Sequence, residues 1–392
     1  VSLTQGLKSP RTPLRRFLDR EVSAGTRRVL AAYREMLPYT PVLLPGDGVG
    51  FEAGTVGTAI DQRLRLAFTA MAPLDVASLA GIARCQAVAR ARRGRGRGDP
   101  TWSALSELGM QLVEEIAASV VELRLDARCL PILRSDEDEE RLARRLLCAA
   151  WYALNFRNPF AFPDTPLFQA VAESPRRFSF ERLLAVPTPA LVDDVLRQLR
   201  AAENGPLAGL RRQVPVATCV GGPTFDGSVD VTADADLIAD GLLIDFKSTR
   251  NVHEFPKATV LQLLGYALLD YSDHYQIDAV GVYLTRAAAL VAWPLEEYLA
   301  MLGTRHRDLT ELRVAFAELL SQPTWQADFD PEPDQLDDVE QTLAKLAPPI
   351  PDDCCRVCAQ PLSESAVAAG RRLYCSRFCG RRAQTLRNHG WL

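Results

Sequence analysis

The sequence has no run of eighteen apolar residues, which excludes a membrane-spanning helix, and no charged start leading into an apolar core, so no secretory leader is expected. A cytoplasmic protein with no membrane partner is the expectation. It has no G-x(4)-G-K-[ST] loop, so any ATP-driven unwinding would have to come from another chain. It has no excess of positive charge: 45 Lys and Arg stand against 49 Asp and Glu, a net charge of −4. A nucleic-acid surface would therefore have to be a local patch. No internal repeat is evident. What remains is ordinary globular material. The 392 residues, 47% hydrophobic and 24% charged, suffice for roughly two or three domains with a proper core.

The densest chemistry lies in residues 234 to 247, D-A-D-L-I-A-D-G-L-L-I-D-F-K. Asp240-Gly241 favours a two-residue hairpin turn, because both central positions need positive φ. That turn sets Ala239 opposite Leu242, Ile238 opposite Leu243 and Leu237 opposite Ile244. Continued outward, Asp236 meets Asp245 and Asp234 meets Lys247. With a side-chain period of two, Asp234, Asp236, Asp245 and Lys247 share a face, while Leu237, Ile244 and Phe246 take the other. Acids so close repel unless a positive group lies between them, and a divalent cation is the simplest such group. The alternative is a solvated hairpin face with an Asp-Lys pair. The apolar strand leading into Asp245 weighs against it, since an acid ending a buried strand is costly unless paired or used.

Downstream, Val260, Leu261, Leu264, Ala267 and Leu268 recur at helical spacing and place Gln262 and Tyr266 one turn apart, with Pro256 suited to the first turn. The series D-x(8)-D-x-K followed by Q-x(3)-Y resembles the RecB-like branch of the PD-(D/E)XK nuclease superfamily. The resemblance implies an α/β fold with a restriction-endonuclease-like core, a central mixed sheet flanked by helices. It implies Asp236 and Asp245 as Mg²⁺ (or Mn²⁺) ligands with the Phe246 carbonyl as a third, Lys247 as the catalytic lysine, and Gln262 and Tyr266 as a helix pair lining the site. Asp234 and Asp230 compete for the place of the first acid. The same family carries an upstream G-T-x-x-H helix whose His joins the metal site. Here Gly57-Thr58-Ala59-Ile60-Asp61 has Asp61 at that position, either as a third carboxylate ligand or as the partner of Arg65 one turn on.

Nine cysteines fall into two groups. Cys85, Cys129, Cys148 and Cys219 stand singly and read as small buried residues. The other five lie in the last 39 residues, where Cys355-x2-Cys358 and Cys375-x3-Cys379 are separated by sixteen residues, a structural Zn²⁺ spacing. Cys354 competes with Cys355. The stretch resembles a treble-clef-like zinc finger, with a knuckle followed by a basic helix. Around it Arg371, Arg372, Arg377, Arg381, Arg382 and Arg387 form a candidate phosphate-binding surface, or a docking face for the acidic linker or a partner protein.

The remainder reads as scaffold. Amphipathic stretches cover residues 12 to 36 and 102 to 125, and Ser135 opens a helix to about residue 156 whose acidic start suits its N-terminal dipole. Residues 90 to 98 read as a flexible cationic loop, either solvated or on nucleic-acid backbone. Strands are expected at 279 to 285 and 288 to 293, then a helix from 295 to 320. The divisions expected are an N-terminal helical segment (1–44), a first part of the nuclease core (45–75), a helical insertion (76–214), the core with both motifs (215–322), an acidic Pro-rich linker (323–352) and the zinc finger (353–392). The function implied is a metal-dependent DNA nuclease in repair or anti-phage defence, with protein partners of such a complex. The alternative is a non-catalytic DNA-binding or assembly protein using the same surfaces.

Overall fold

Asp240 and Gly241 both take positive φ, +52° and +82°, and turn the chain between β2 (Leu237–Ala239) and β3 (Leu242–Lys247). The register is the expected one: Leu237 pairs with Ile244, Ile238 with Leu243 and Ala239 with Leu242. On the far side of β2 lies β1 (Cys219–Gly221), antiparallel to it. From β3 the chain crosses through a helix, Lys257–Leu269, to β4 (Ala279–Leu284), which is parallel to β3, and β5 (Ala289–Pro294) returns antiparallel. The result is a mixed five-stranded sheet in the order β1-β2-β3-β4-β5. This computed structural model describes residues 2–22, 25–94, 99–304, 308–322, 333–347, 350–357, 361–370 and 373–388.

Helices cover both faces. Those preceding the sheet are α1 (Leu3–Gly6), α2 (Pro13–Glu21), α3 (Thr26–Met36), α4 (Ala53–Phe68), α5 (Val76–Gly94), α6 (Pro100–Glu122), α7 (Asp136–Arg157), α8 (Pro166–Glu173), α9 (Phe180–Ala185), α10 (Pro189–Glu203) and α11 (Pro206–Gln213). The crossover helix is α12, followed by α13 (Leu295–Leu302) and α14 (Leu309–Leu320). Alternation along the strands sorts the two cores. Ile238, Leu243, Val280 and Val282 pack with residues of α1–α3 and α12–α14. Leu237, Ala239, Ile244, Phe246 and Tyr283 pack with residues of α4–α11. Pairing between strands satisfies the backbone while both faces bury apolar side chains, which explains why the L-L-I run of β3 is continuous.

Several expected elements are divided or extended. The stretch 12 to 36 is two helices, capped at the start by Thr12, whose hydroxyl accepts from Arg15 N–H; Val22 after the first bridges Thr304. The stretch 295 to 320 breaks at Gly303, which adopts left-handed geometry (φ +68°) and closes α13. Arg90 to Gly94 are the last turn of α5 and not a loop, while residues 95 to 98 lie outside the described residues. Ser135 caps α7 by accepting from Asp138 N–H, with four acids in the first turn, as expected. Within the linker, Pro333–Leu346 is a helix whose Glu340 pairs with Arg16 of α2. No described helix is long and apolar enough to cross a membrane.

Candidate active site and cysteine centre

The ladder between β2 and β3 stops at Leu237, so Asp236 is freed from pairing just as β3 continues. Its backbone carbonyl accepts from Gly222 N–H at 2.9 Å, and its Oδ2 accepts the Phe246 N–H at 2.5 Å. A residue's N–H and C=O project to one edge of a strand, so the Phe246 carbonyl faces the same open edge. Asp245, 2% exposed, stands with Oδ2 2.6 Å from Lys247 Nζ. Lys247 Nζ also donates to Gln262 Oε1 at 3.3 Å, and Gln262 Nε2 donates to the Tyr266 hydroxyl at 2.7 Å. The spacing of Gln262 and Tyr266 on α12 makes that last contact possible. Both are buried, at 8% and 4% exposure.

These groups line one open cleft of about 840 Å³ together with Asp61, Asp234, Phe246, Gly57 and Thr58. Every motif residue expected from sequence except one competitor is there. Asp230 is not among the lining residues; its Oδ2 accepts from the Tyr271 hydroxyl at 3.4 Å. Asp234 lines the cleft but is aimed at Arg157, 3.9 Å away, and not at Lys247. Of the two readings of Asp61, the structure has the pair: Arg65 Nε donates to Asp61 Oδ1 at 2.7 Å and Arg65 Nη2 donates to Asp61 Oδ2. Sequence reasoning missed the second role of Arg65, which reaches Asp236 Oδ1 at 2.9 Å. It also missed Arg157 and Ser2 to Gln5, which line the cleft; Gln262 Nε2 lies 3.4 Å from Thr4 Oγ1.

Burial dominates the electrostatics. Desolvation pushes Asp245 up to about 6 against the pull of Lys247. It raises Asp234 and acts upward on Asp61 too, where the two-point fork to the Arg65 guanidinium pulls the other way and keeps the pair ionic. For Lys247 desolvation acts downward, but Asp245 and Asp236 outweigh it and hold the ammonium above its ordinary value. Tyr266 is pushed far up by burial and by the nearby Asp245 and Asp236, so it remains a protonated hydroxyl at neutral pH. A lysine held charged and a tyrosine held neutral suit the binding of an anion.

No family model, curated protein or solved structure matches this chain.

Near the C-terminus, Cys355, Cys375 and Cys379 bring their sulfurs within 4.8 Å of one another, a cluster that can hold a metal ion. Cys355 and Cys379 are buried with Val357 and Ala383 in a small core of their own. The backbone supports it: Arg356 N–H donates to Leu373 O at 2.9 Å, Leu362 N–H to Asp353 O at 2.8 Å, and Cys379 N–H to Ser376 Oγ at 3.1 Å. Cys355, not Cys354, joins the cluster; Cys354 Sγ instead faces Asp353 Oδ1 at 3.6 Å. Cys358, Arg371 and Arg372 lie outside the described residues. Arg377 and Arg381 are exposed on the helix Arg377–Asn388, the helix that also contains positions 382 and 387. Among the single cysteines, Cys85, Cys148 and Cys219 are buried as expected, but Cys129 is exposed, because it lies in the turns between α6 and α7 and not on a packed helix face.

Proposed function

We propose that the chain is a Mg²⁺- or Mn²⁺-dependent nuclease of the RecB-like PD-(D/E)XK type that hydrolyses DNA phosphodiester bonds. One observation carries this reading. Two acids and a lysine at an open strand edge share a cleft with a Gln-Tyr pair from the next helix, in the order and spacing of the motif.

The oxygen donors at that edge suit a hard divalent cation. Asp236, Asp245 and the Phe246 carbonyl would hold it. Asp61 fits less well, since the Arg65 guanidinium grips both of its oxygens, whereas it meets only one oxygen of Asp236. When bound, such a cation lowers the pKa of a coordinated water and stabilises charge developing on phosphate. The rest falls to the chain. Lys247 stays protonated beside Asp245, so it acts as a positive partner for a phosphate oxygen and not as a proton acceptor. Gln262 orients that ammonium through its carbonyl and ties it to Tyr266, a neutral donor on the cleft wall. Near the C-terminus, Cys355, Cys375 and Cys379 would hold a structural zinc, with Cys358 the fourth ligand that the sequence spacing supplies, and Arg377 and Arg381 would present charge to the DNA backbone.

A second reading has a specific observation in its favour. Both acids are already neutralised from within the chain, Asp236 by Arg65 and Asp245 by Lys247, as in a DNA-binding or assembly protein that does not cut. Incubating the full chain with linear and with closed circular DNA, in Mg²⁺ and in excess chelator, separates the two. Cleavage that requires Mg²⁺ supports the nuclease. Retention of DNA without cleavage under either condition favours the second reading.

A further inference from the structure

Arg65 occupies a slot the fold has built for it. It leaves α4 toward the end of β1, where a Cβ at Gly222, which has φ +62°, would stand 3.0 Å from Arg65 Nη1. The residue is 6% exposed, and its guanidinium is gripped on one side by both oxygens of Asp61. From there Nη2 reaches Asp236 Oδ1 at 2.9 Å, while Asp236 Oδ2 is taken by the Phe246 N–H at 2.5 Å. Asp61 is thus spent on holding an arginine, and the arginine is spent on the first acid of the cleft.

We propose that Arg65, tethered by Asp61, is a fixed internal cation that sets how strongly the Asp236–Asp245 pair attracts a divalent cation. The inference rests on the cation-binding reading above and goes beyond it by assigning Asp61 and Arg65 to neither ligation nor catalysis. A guanidinium cannot lose its proton at any working pH, so its charge is permanent, and at a desolvated site it repels a second cation more strongly than it would in water. Asp61 returns one negative charge beside it. The pair is neutral as a unit, and removing either half alone shifts the potential at Asp236 in opposite directions. A purely structural pair has no such signature, because loss of either half would disorder the same wall and weaken binding in both cases.

The test is a Mn²⁺ titration of the 392-residue chain as purified, read by the loss of the free-ion electron paramagnetic resonance signal. Asp245→Asn supplies the baseline for binding elsewhere. Relative to wild type, Arg65→Gln is expected to tighten Mn²⁺ binding by about tenfold and Asp61→Asn to weaken it by about tenfold. Arg65→Lys keeps the charge without the fork and is expected to stay within about threefold of wild type. Thermal melts check that each variant is folded, and the lysine variant carries the decision should the glutamine variant not fold: loss of Mn²⁺ affinity in Arg65→Lys overturns the proposal. It is also overturned, with the nuclease reading untouched, if wild type binds Mn²⁺ and Arg65→Gln binds equally or more weakly. A wild type that binds no Mn²⁺ above the Asp245→Asn baseline overturns both.

Discussion

The backbone N–H of Phe246 donates to Asp236 Oδ2 over 2.5 Å, and this contact continues the β2–β3 hairpin one step beyond its ladder. It makes the first acid part of the strand that carries the second. Asp236→Ala would orphan that donor and remove a partner of Arg65. A loss of about 1–3 kcal/mol of unfolding free energy is expected, measured by urea denaturation. An unchanged midpoint and slope would mean that the contact does not form.

Asp245 should leave a mark on the pH dependence of stability. Its carboxyl keeps a proton in the folded state up to about pH 6, whereas in the unfolded chain it gives it up near the ordinary 3.8. Between those values the native state binds more protons, so this group's contribution to stability falls as pH rises and is lost above about 6. Comparing wild type with Asp245→Asn from pH 4 to 7, without divalent cations, the stability difference should shift against wild type as pH rises. A difference independent of pH would contradict the burial of this acid.

A buried ion pair fixes the helix that bears Asp61. Arg63 on α4 meets Glu139 on α7 through Nη2–Oε1 at 2.6 Å and Nε–Oε2 at 2.8 Å, with both side chains almost fully enclosed. Glu139→Ala strands the guanidinium in the core. It is expected to cost about 3–5 kcal/mol, visible in denaturant melts, because Glu139 is the acid paired with Arg63 among the described residues. A cost below about 1 kcal/mol would indicate that the site opens to water.

How much of this was legible in the sequence depends on the range of the interaction. The turn at Asp240-Gly241, the strand register and the Gln262–Tyr266 pair are local, and a few residues determine each. The bond from Arg65 to Asp236 spans 171 positions; only its short-range half, to Asp61, has a periodic signal. The same is true of Arg157 beside Asp234 and of Thr4 beside Gln262. Gly303 carried a local signal for the break after α13, which the expectation of one helix from 295 to 320 passed over. Charge misled at Arg90 to Gly94, where arginines solvated along the last turn of α5 continue a helix instead of ending it.

The cysteine cluster makes a compositional prediction. The full chain should carry about one zinc, by elemental analysis after dialysis. Cys355→Ser, Cys358→Ser, Cys375→Ser or Cys379→Ser should each lower that content, whereas Cys354→Ser, whose sulfur lies outside the cluster, should leave it unchanged. Zinc retained in Cys379→Ser, or lost in Cys354→Ser, would reassign the ligands.

The most direct measurement is the rate at which wild type and Lys247→Ala cleave linear DNA in Mg²⁺, with both proteins shown to be folded. Lys247 joins Asp245 to Gln262 in the cleft, and its ammonium is the positive group beside the second acid that a phosphate oxygen would meet. Wild type is expected to cleave, with the variant slower by about a hundredfold or more. Equal rates, or a wild type that leaves DNA intact, would contradict the assignment of this cleft as a nuclease site.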